Sequence, residues 1–171
     1  MTQNSQFYWY AVYTRSCHED KVDRLLKTKS IHTFLPRIEV WSKRKDRKKK
    51  IHKALFPGYL FVNEIGDRNQ YLEILKTPGV VRMLGDKNAP MSIPDIQIES
   101  IKKILESRTA STIFPYLRKG QKVRVTNGPL QGCEGIILDL KKRDRLIVSI
   151  DLLQRAVSVE LNGADVELLV N

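Results

Sequence analysis

The feature that most restricts the fold is a change of period near Ser107: strand-like and helix-like runs alternate before it, and only strand-like runs follow it. A chain that mixes both periods and then drops one is predicted to build two cores, an α/β layer structure and a small all-β unit. In the first part, "YWYAVYT" (Tyr8 to Thr14) alternates as a strand, with Trp9, Ala11 and Tyr13 on one face and Tyr10 and Val12 on the other. Ser16 and Glu19 have the spacing of a capping box, acids fill the next turn, and Lys27 and Lys29 close a helix that turns Val22, Leu25 and Leu26 inward. "IHTFLPRIEVW" reads as a second strand, with Pro36 arguing for an edge or a bulge. "ALFPGYLFV" is too apolar for a half-exposed strand and is predicted to be covered on both faces, after a turn at Pro57-Gly58.

Asp67 then caps a second helix carrying Tyr71, Leu72 and Leu75, which Pro78-Gly79 stops. "VVRML" is a short strand, and Pro94 opens a third helix with Ile98, Ile101 and Leu105 on one stripe. The order βαββαβ plus a helix suits a ferredoxin-like α/β sandwich over residues 1–106. Residues 107–117 are polar and aperiodic and read as a linker. Over residues 118–171, "QKVRVT", "EGIILDL", "RLIVSI", "AVSVEL" and "VELL" are five short strands of a small barrel, making the whole chain α+β. Gly132 and Gly135 fit positions where strands meet too closely for a side chain.

Charge points to a partner class. The 171 residues carry 30 Lys and Arg against 19 Asp and Glu, net +11, and the excess is uneven: 21 against 12 over residues 1–115, and 9 against 7 beyond. Such a balance favours association with a polyanion through counterion release, and its asymmetry assigns that work to the first domain. The densest stretch, Trp41 to Lys53, has net +7 and no apolar stripe, so it is read as a hairpin tip. A solvated loop is the common meaning of a charge run; here the density favours phosphate contact. Beside it, Tyr13, Phe56, Tyr59 and Phe61 form an aromatic set for which a core role and an exposed docking pocket weigh evenly on physics alone.

Catalysis is not expected. His18, His32 and His52 lack metal-ligand spacing, Cys17 and Cys133 do not pair as CxxC, and neither a nucleophile elbow nor a phosphate-gripping Lys motif is present, so no cofactor or metal is predicted. No run approaches the roughly eighteen apolar residues of a membrane helix, and "MTQNSQFYWYAVYT" lacks the pattern of a leader, which implies a cytoplasmic protein without membrane contact.

At "WYAVYT", "FPGYLFV", "TPGVVRMLG", "GQKVRVTNGPLQGCEGII" and "LLQRAVSVEL" the chain resembles the NusG family of transcription elongation factors over nearly its whole length. The resemblance implies an N-terminal NGN domain of ferredoxin-like form and a C-terminal KOW domain, an SH3-like five-stranded barrel with Gly135 at the family's key glycine. It implies a monomer whose apolar pocket, lined by Tyr13, Phe56, Tyr59 and Phe61 with Trp9 beneath, grips the clamp helices of the largest RNA polymerase subunit. Asn69 and Gln70 would touch the opposite jaw, so that bridging the cleft suppresses pausing or termination. Lys43, Arg44, Lys45, Arg47, Lys48, Lys49 and Lys50 would meet upstream DNA or the non-template strand; Arg15, His18, Lys21 and Arg24 on the first helix would reach the non-template strand.

On the KOW domain, Leu152, Leu153 and Arg155 would recruit a second factor, the ribosomal protein NusE or the termination factor Rho. Leu153 stands where the general factor usually has an aromatic, which together with the basic arm resembles specialised RfaH and UpxY paralogues. The alternatives are the housekeeping factor coupled to Rho and a ribosome-associated KOW protein that binds RNA; the latter would concentrate its basic residues on the barrel.

Overall fold

The structure is a computed structural model that describes residues 6–42, 49–64, 66–86, 89–107, 111–114, 120–140, 143–161 and 166–169, with backbone alone at 111–114, 138–140 and 143–144. By its contacts the chain divides into two units, Met1–Ile93 and Pro94–Asn171.

The first unit runs β1 (Tyr8–Thr14), α1 (Glu19–Thr28), β2 (His32–Phe34), β3 (Arg37–Trp41), β4 (Lys50–Ala54), β5 (Tyr59–Glu64), α2 (Arg68–Leu75) and β6 (Val80–Met83). Three two-residue strands follow: β7 (Gly85–Asp86), β8 (Ala89–Pro90) and β9 (Ser92–Ile93). The main sheet has the order β2-β5-β1-β6, with β9 also on β1, and all its pairings are antiparallel. The expected order βαββαβ is present, with β3 and β4 inserted as a two-stranded sheet of their own. The single strand expected from Ile31 to Trp41 is instead two, because Pro36 has no N–H for a ladder; β2 ends before it as the sheet edge, and β3 leaves the sheet.

One face of this sheet is closed by helices. Tyr10 and Val12 of β1 and Leu60 and Val62 of β5 pack with Val22 and Leu26 of α1 and Ile74 of α2. Each such aliphatic side chain removed from water stabilises the fold by about 1.5–3 kcal/mol. In α2 the inward stripe is Tyr71, Ile74 and Leu75, an i, i+3, i+4 set, whereas Leu72 turns out to solvent, contrary to the expected stripe. Asp67 caps α2 as expected, accepting from the Gln70 N–H. The capping box expected for α1 does not form: His18 holds the N-cap position with no side-chain bond to the helix's N–H groups, and Glu19 has a partner elsewhere. Buried Asp23 ties α1 to β2, accepting from the Thr33 hydroxyl at 2.6 Å and from Lys27 at 2.9 Å.

The second unit holds α3 (Asp95–Glu106), β10 (Ser111–Phe114), β11 (Gln121–Val125), β12 (Glu134–Leu140), β13 (Arg143–Ile150), a single 3-10 turn (Asp151–Leu153), β14 (Arg155–Glu160) and β15 (Val166–Leu168). Its antiparallel sheet has the order β10-β14-β13-β12-β11-β15. The five expected strands are all present. A sixth, β10, occupies part of the stretch read as a linker, because its backbone pairs with β14 from Ser111↔Val159 to Phe114↔Ala156.

The expected boundary after residue 106 also differs from the observed division, since α3 packs against β12 and β13. It buries Ile98, Ile101 and Ile104, with Leu105 only half-buried. Polar anchors reinforce the dock: Ser100 accepts from the Glu134 N–H at 3.1 Å, Lys103 donates to the Gln131 carbonyl at 2.7 Å, and Gln97 bonds Asp151. Gly135 in β12 is required by close approach. A Cβ there would sit 2.9 Å from the Ile147 carbonyl carbon and nearer still to its oxygen.

Candidate functional site

Register between β1 and β5 sets Tyr13 opposite Tyr59, Ala11 opposite Phe61 and Trp9 opposite Asn63. Alternation then brings Trp9, Tyr13, Tyr59 and Phe61 to the sheet face away from the α1/α2 core. Tyr13 and Tyr59 lie with ring centroids 5.2 Å apart, Phe61 meets Phe56 edge-on at 6.0 Å and stacks on Phe34 at 6.1 Å, and Trp9 contacts Phe34 at 6.2 Å and His32 at 5.5 Å. The contacts form two sets, the pair Tyr13–Tyr59 and a cluster in which Phe34 links Trp9 to Phe61 and Phe56, with His32 against Trp9; Phe34 and His32 are outside the set expected from the sequence.

Exposure separates them. Phe61 is 0% and Phe56 1% exposed, and Trp9 is buried, whereas Tyr13 is 36% exposed and Tyr59 half-buried. Phe56 and Phe61 thus present no surface of their own, a correction to the expected pocket lining. The turn beside the pair is held firmly: Gly58 has φ +85° and lies under the Tyr13 ring, its N–H donates to Glu19 Oε1 at 2.7 Å, and its carbonyl accepts from the Thr14 N–H at 2.8 Å.

The β3–β4 hairpin supplies the cationic element. It is closed at its base by the Leu55 N–H on the Pro36 carbonyl and at its far end by the Ser42 N–H on the Lys49 carbonyl, and Arg37 pairs with Asp20 of α1. Lys49 and Lys50 are exposed at that far end. Lys43, Arg44, Lys45, Arg47 and Lys48 lie outside the described residues. Arg15, Lys21 and Arg24 are exposed on α1 and its approach; His18 is half-buried, its Nδ1 2.9 Å from the Ser16 carbonyl oxygen.

At the start of α2, Asn69 is exposed, while Gln70 turns partly inward and its Oε1 is buried without a hydrogen-bond partner among the described residues. Close by, a cleft of about 550 Å³ is lined by Tyr10, Glu64, Gly66, Arg68, Tyr71, Leu72, Ala89 and Pro90. Glu64 is 1% exposed, and its Oε2 has no hydrogen-bond partner among the described residues. Burial, and then the nearby Asp67 charge, push its carboxyl up to about 7. Tyr10 is raised in turn by its own burial and by Glu64.

In the second unit, Leu152 is half-exposed, Leu153 is buried in the 3-10 turn and Arg155 is half-buried at the start of β14. Of the three nominated residues, Leu153 thus offers little surface. Among the described residues no three His, Cys, Asp or Glu side chains gather as metal ligands would, and no helix is long and apolar enough to cross a membrane.

Residues 7–102 match the family model of NusG, described as transcription termination factor nusG. The chain belongs to the NusG family. The transcription termination/antitermination protein NusG of Rickettsia felis is 29% identical over 166 residues, covering 90% of this chain and 86% of that protein. Its counterpart in Thermus thermophilus is 28% identical over 92% of this chain and 96% of its own length. A solved structure of NusG from Thermotoga maritima, concerned with domain interaction, aligns at a TM-score of 0.57 and 21% identity, covering 95% of this chain and 97% of that one, and supports the mixed α/β fold.

The NusG match spans the tyrosine pair, the hairpin and the cleft. Glu64 was the residue the sequence reading missed, although a signal for it existed: Leu60, Val62 and Glu64 share one parity, and that parity is the core face.

Proposed function

We propose that this member of the NusG family is a bacterial elongation and antitermination factor whose first unit, a ferredoxin-like NGN domain, binds the clamp helices of RNA polymerase and bridges the cleft. Exposed Tyr13 and half-buried Tyr59 form its contact, Trp9, Phe56 and Phe61 lie buried on the same stretch of β1 and β5 and the turn before it, and Asn69 and Gln70 meet the opposite jaw. The basic hairpin and the exposed cations of α1 face upstream DNA or the non-template strand. Within the second unit, residues 118–171 are the KOW domain, an SH3-like barrel that recruits NusE or Rho through the turn at Leu152, Leu153 and Arg155. Leu153 in place of an aromatic favours a specialised RfaH- or UpxY-like paralogue.

The observation that carries this reading is the juxtaposition of a tyrosine pair, Tyr13 exposed and Tyr59 half-buried, beside a turn locked by Glu19, with a cationic hairpin tied to the same helix through Asp20. Exposed aromatics with well-packed support are what protein contacts use. Tyr13→Ser with Tyr59→Ser should abolish co-elution with core RNA polymerase while circular dichroism stays native. Wild-type protein that ignores polymerase and sediments with ribosomes would defeat the proposal.

A further inference from the structure

The hairpin has two unlike faces. Directly opposed residues share a side in an antiparallel ladder, so Ile38, Val40 and Ile51 lie on one face with Lys53, and Arg37, Glu39, Trp41, Lys50, His52 and half-buried Ala54 lie on the other. The apolar members of the first face are half-buried. The second is exposed and charged, yet it carries the hairpin's largest apolar side chain: Trp41 is 62% exposed. The hairpin's aliphatic side chains pack on the other face, so the indole is left with its cross-strand neighbour Lys50 and otherwise faces solvent.

The surroundings of the ring are specific. Lys50, opposite Trp41, lies with its ammonium 5.7 Å from the ring centroid, and Glu39 holds that ammonium at 2.8 Å. The lysine is therefore fixed beside the indole. Trp41 is also the last strand residue before the run of residues 43–48, which adds five Lys or Arg and one Asp. An exposed aromatic surface next to cations is the composition by which proteins hold unpaired bases: the ring stacks on the base and the cations take the phosphates.

We infer that Trp41 is a stacking platform for an unpaired base of a nucleic-acid strand, with Lys50 beside it for the adjoining phosphate. This rests on the proposed reading that the hairpin faces nucleic acid and adds which chemical feature of the strand it holds. A duplex end-to-end offers no free base face, so the platform distinguishes unpaired from paired strands. His52 on the same face supplies a second donor, while Glu39 tempers the local positive charge.

The fluorophore is built in. Of the two tryptophans, Trp9 is buried and Trp41 is exposed, so titrating the full chain with an oligothymidylate, an oligouridylate and a duplex of equal length reads the site directly. Single strands should quench the exposed indole emission. Trp41→Leu should remove the quenching and weaken single-strand binding about tenfold, equivalent to about 1.4 kcal/mol, with Trp41→Phe restoring most of it and duplex binding unchanged. Quenching by the deoxy or by the ribo strand supports the platform and identifies which it prefers. Undiminished single-strand affinity in Trp41→Leu overturns it, as does quenching by core polymerase but by neither strand. If Gln replacements of the Lys and Arg at 43–48 weaken duplex and single strand alike while Trp41→Leu is silent, the platform is wrong and the nucleic-acid reading of the hairpin stands. Wild-type protein that binds none of the three probes removes both.

Discussion

Replacing Glu64 by Gln isolates a buried acid whose ionisation opposes folding in the first unit. Its carboxyl is raised from 4.5 to about 7, first by burial and then by Asp67. The sign follows from proton counting. Below about pH 4.5 the folded and unfolded chains both hold the proton, so Glu64 contributes no pH dependence there. From about pH 4.5 to 7 the unfolded chain releases it while the folded chain keeps it, so stability falls as pH rises, and above about pH 7 the loss is complete.

A shift from 4.5 to about 7 sets a ceiling of about 3 kcal/mol. Glu64 is 1% exposed but walls an open cleft, so water reaches the charged form and the expected loss is about 1–2 kcal/mol. Gln is neutral throughout and nearly isosteric. Urea unfolding followed by tryptophan emission reports the first unit, because both tryptophans lie in it and Trp9 sits opposite Asn63, next to Glu64. Relative to wild type, Glu64→Gln should gain about 1–2 kcal/mol on going from about pH 5 to about pH 9. Parallel pH profiles for the two proteins would refute the reasoning, and a gain at low pH would reverse its sign.

Two further expectations concern packing. Gly135→Ala should destabilise the second unit by several kcal/mol, read as a lowered melting temperature, since its Cβ would press on the Ile147 carbonyl group in a paired strand that has little room to shift. Phe61→Ala should cost about 3–5 kcal/mol in chemical denaturation, whereas Tyr13→Ser, at an exposed ring, should cost much less; equal costs would contradict the division into buried and presented rings.

Several elements were legible from local pattern. The alternation of "YWYAVYT" set the bounds of β1, Asp67 capped α2, Pro78-Gly79 ended it, and five short runs named five of the strands of the second unit. These succeed because each depends on neighbours within a few residues. The errors share the opposite property. Glu19 has the spacing of a capping box, yet its carboxylate serves Gly58, thirty-nine positions away, and no spacing rule reports such a partner.

The same contrast governs the site. Sequence alone determined that Trp9, Tyr13, Phe56, Tyr59 and Phe61 are aromatic, that the strand positions among them fall on one parity, and that a dense positive charge lies close by in the chain. Only tertiary structure decided that Phe56 and Phe61 are buried while Tyr13 reaches water, that α3 packs on β12 and β13, and that Glu64 stands without a hydrogen bond for its Oε2 among the described residues. Periodicity assigns a side chain to a face; what covers that face, and how dry it is, depends on segments far away in the chain, and burial and ionisation are set by those.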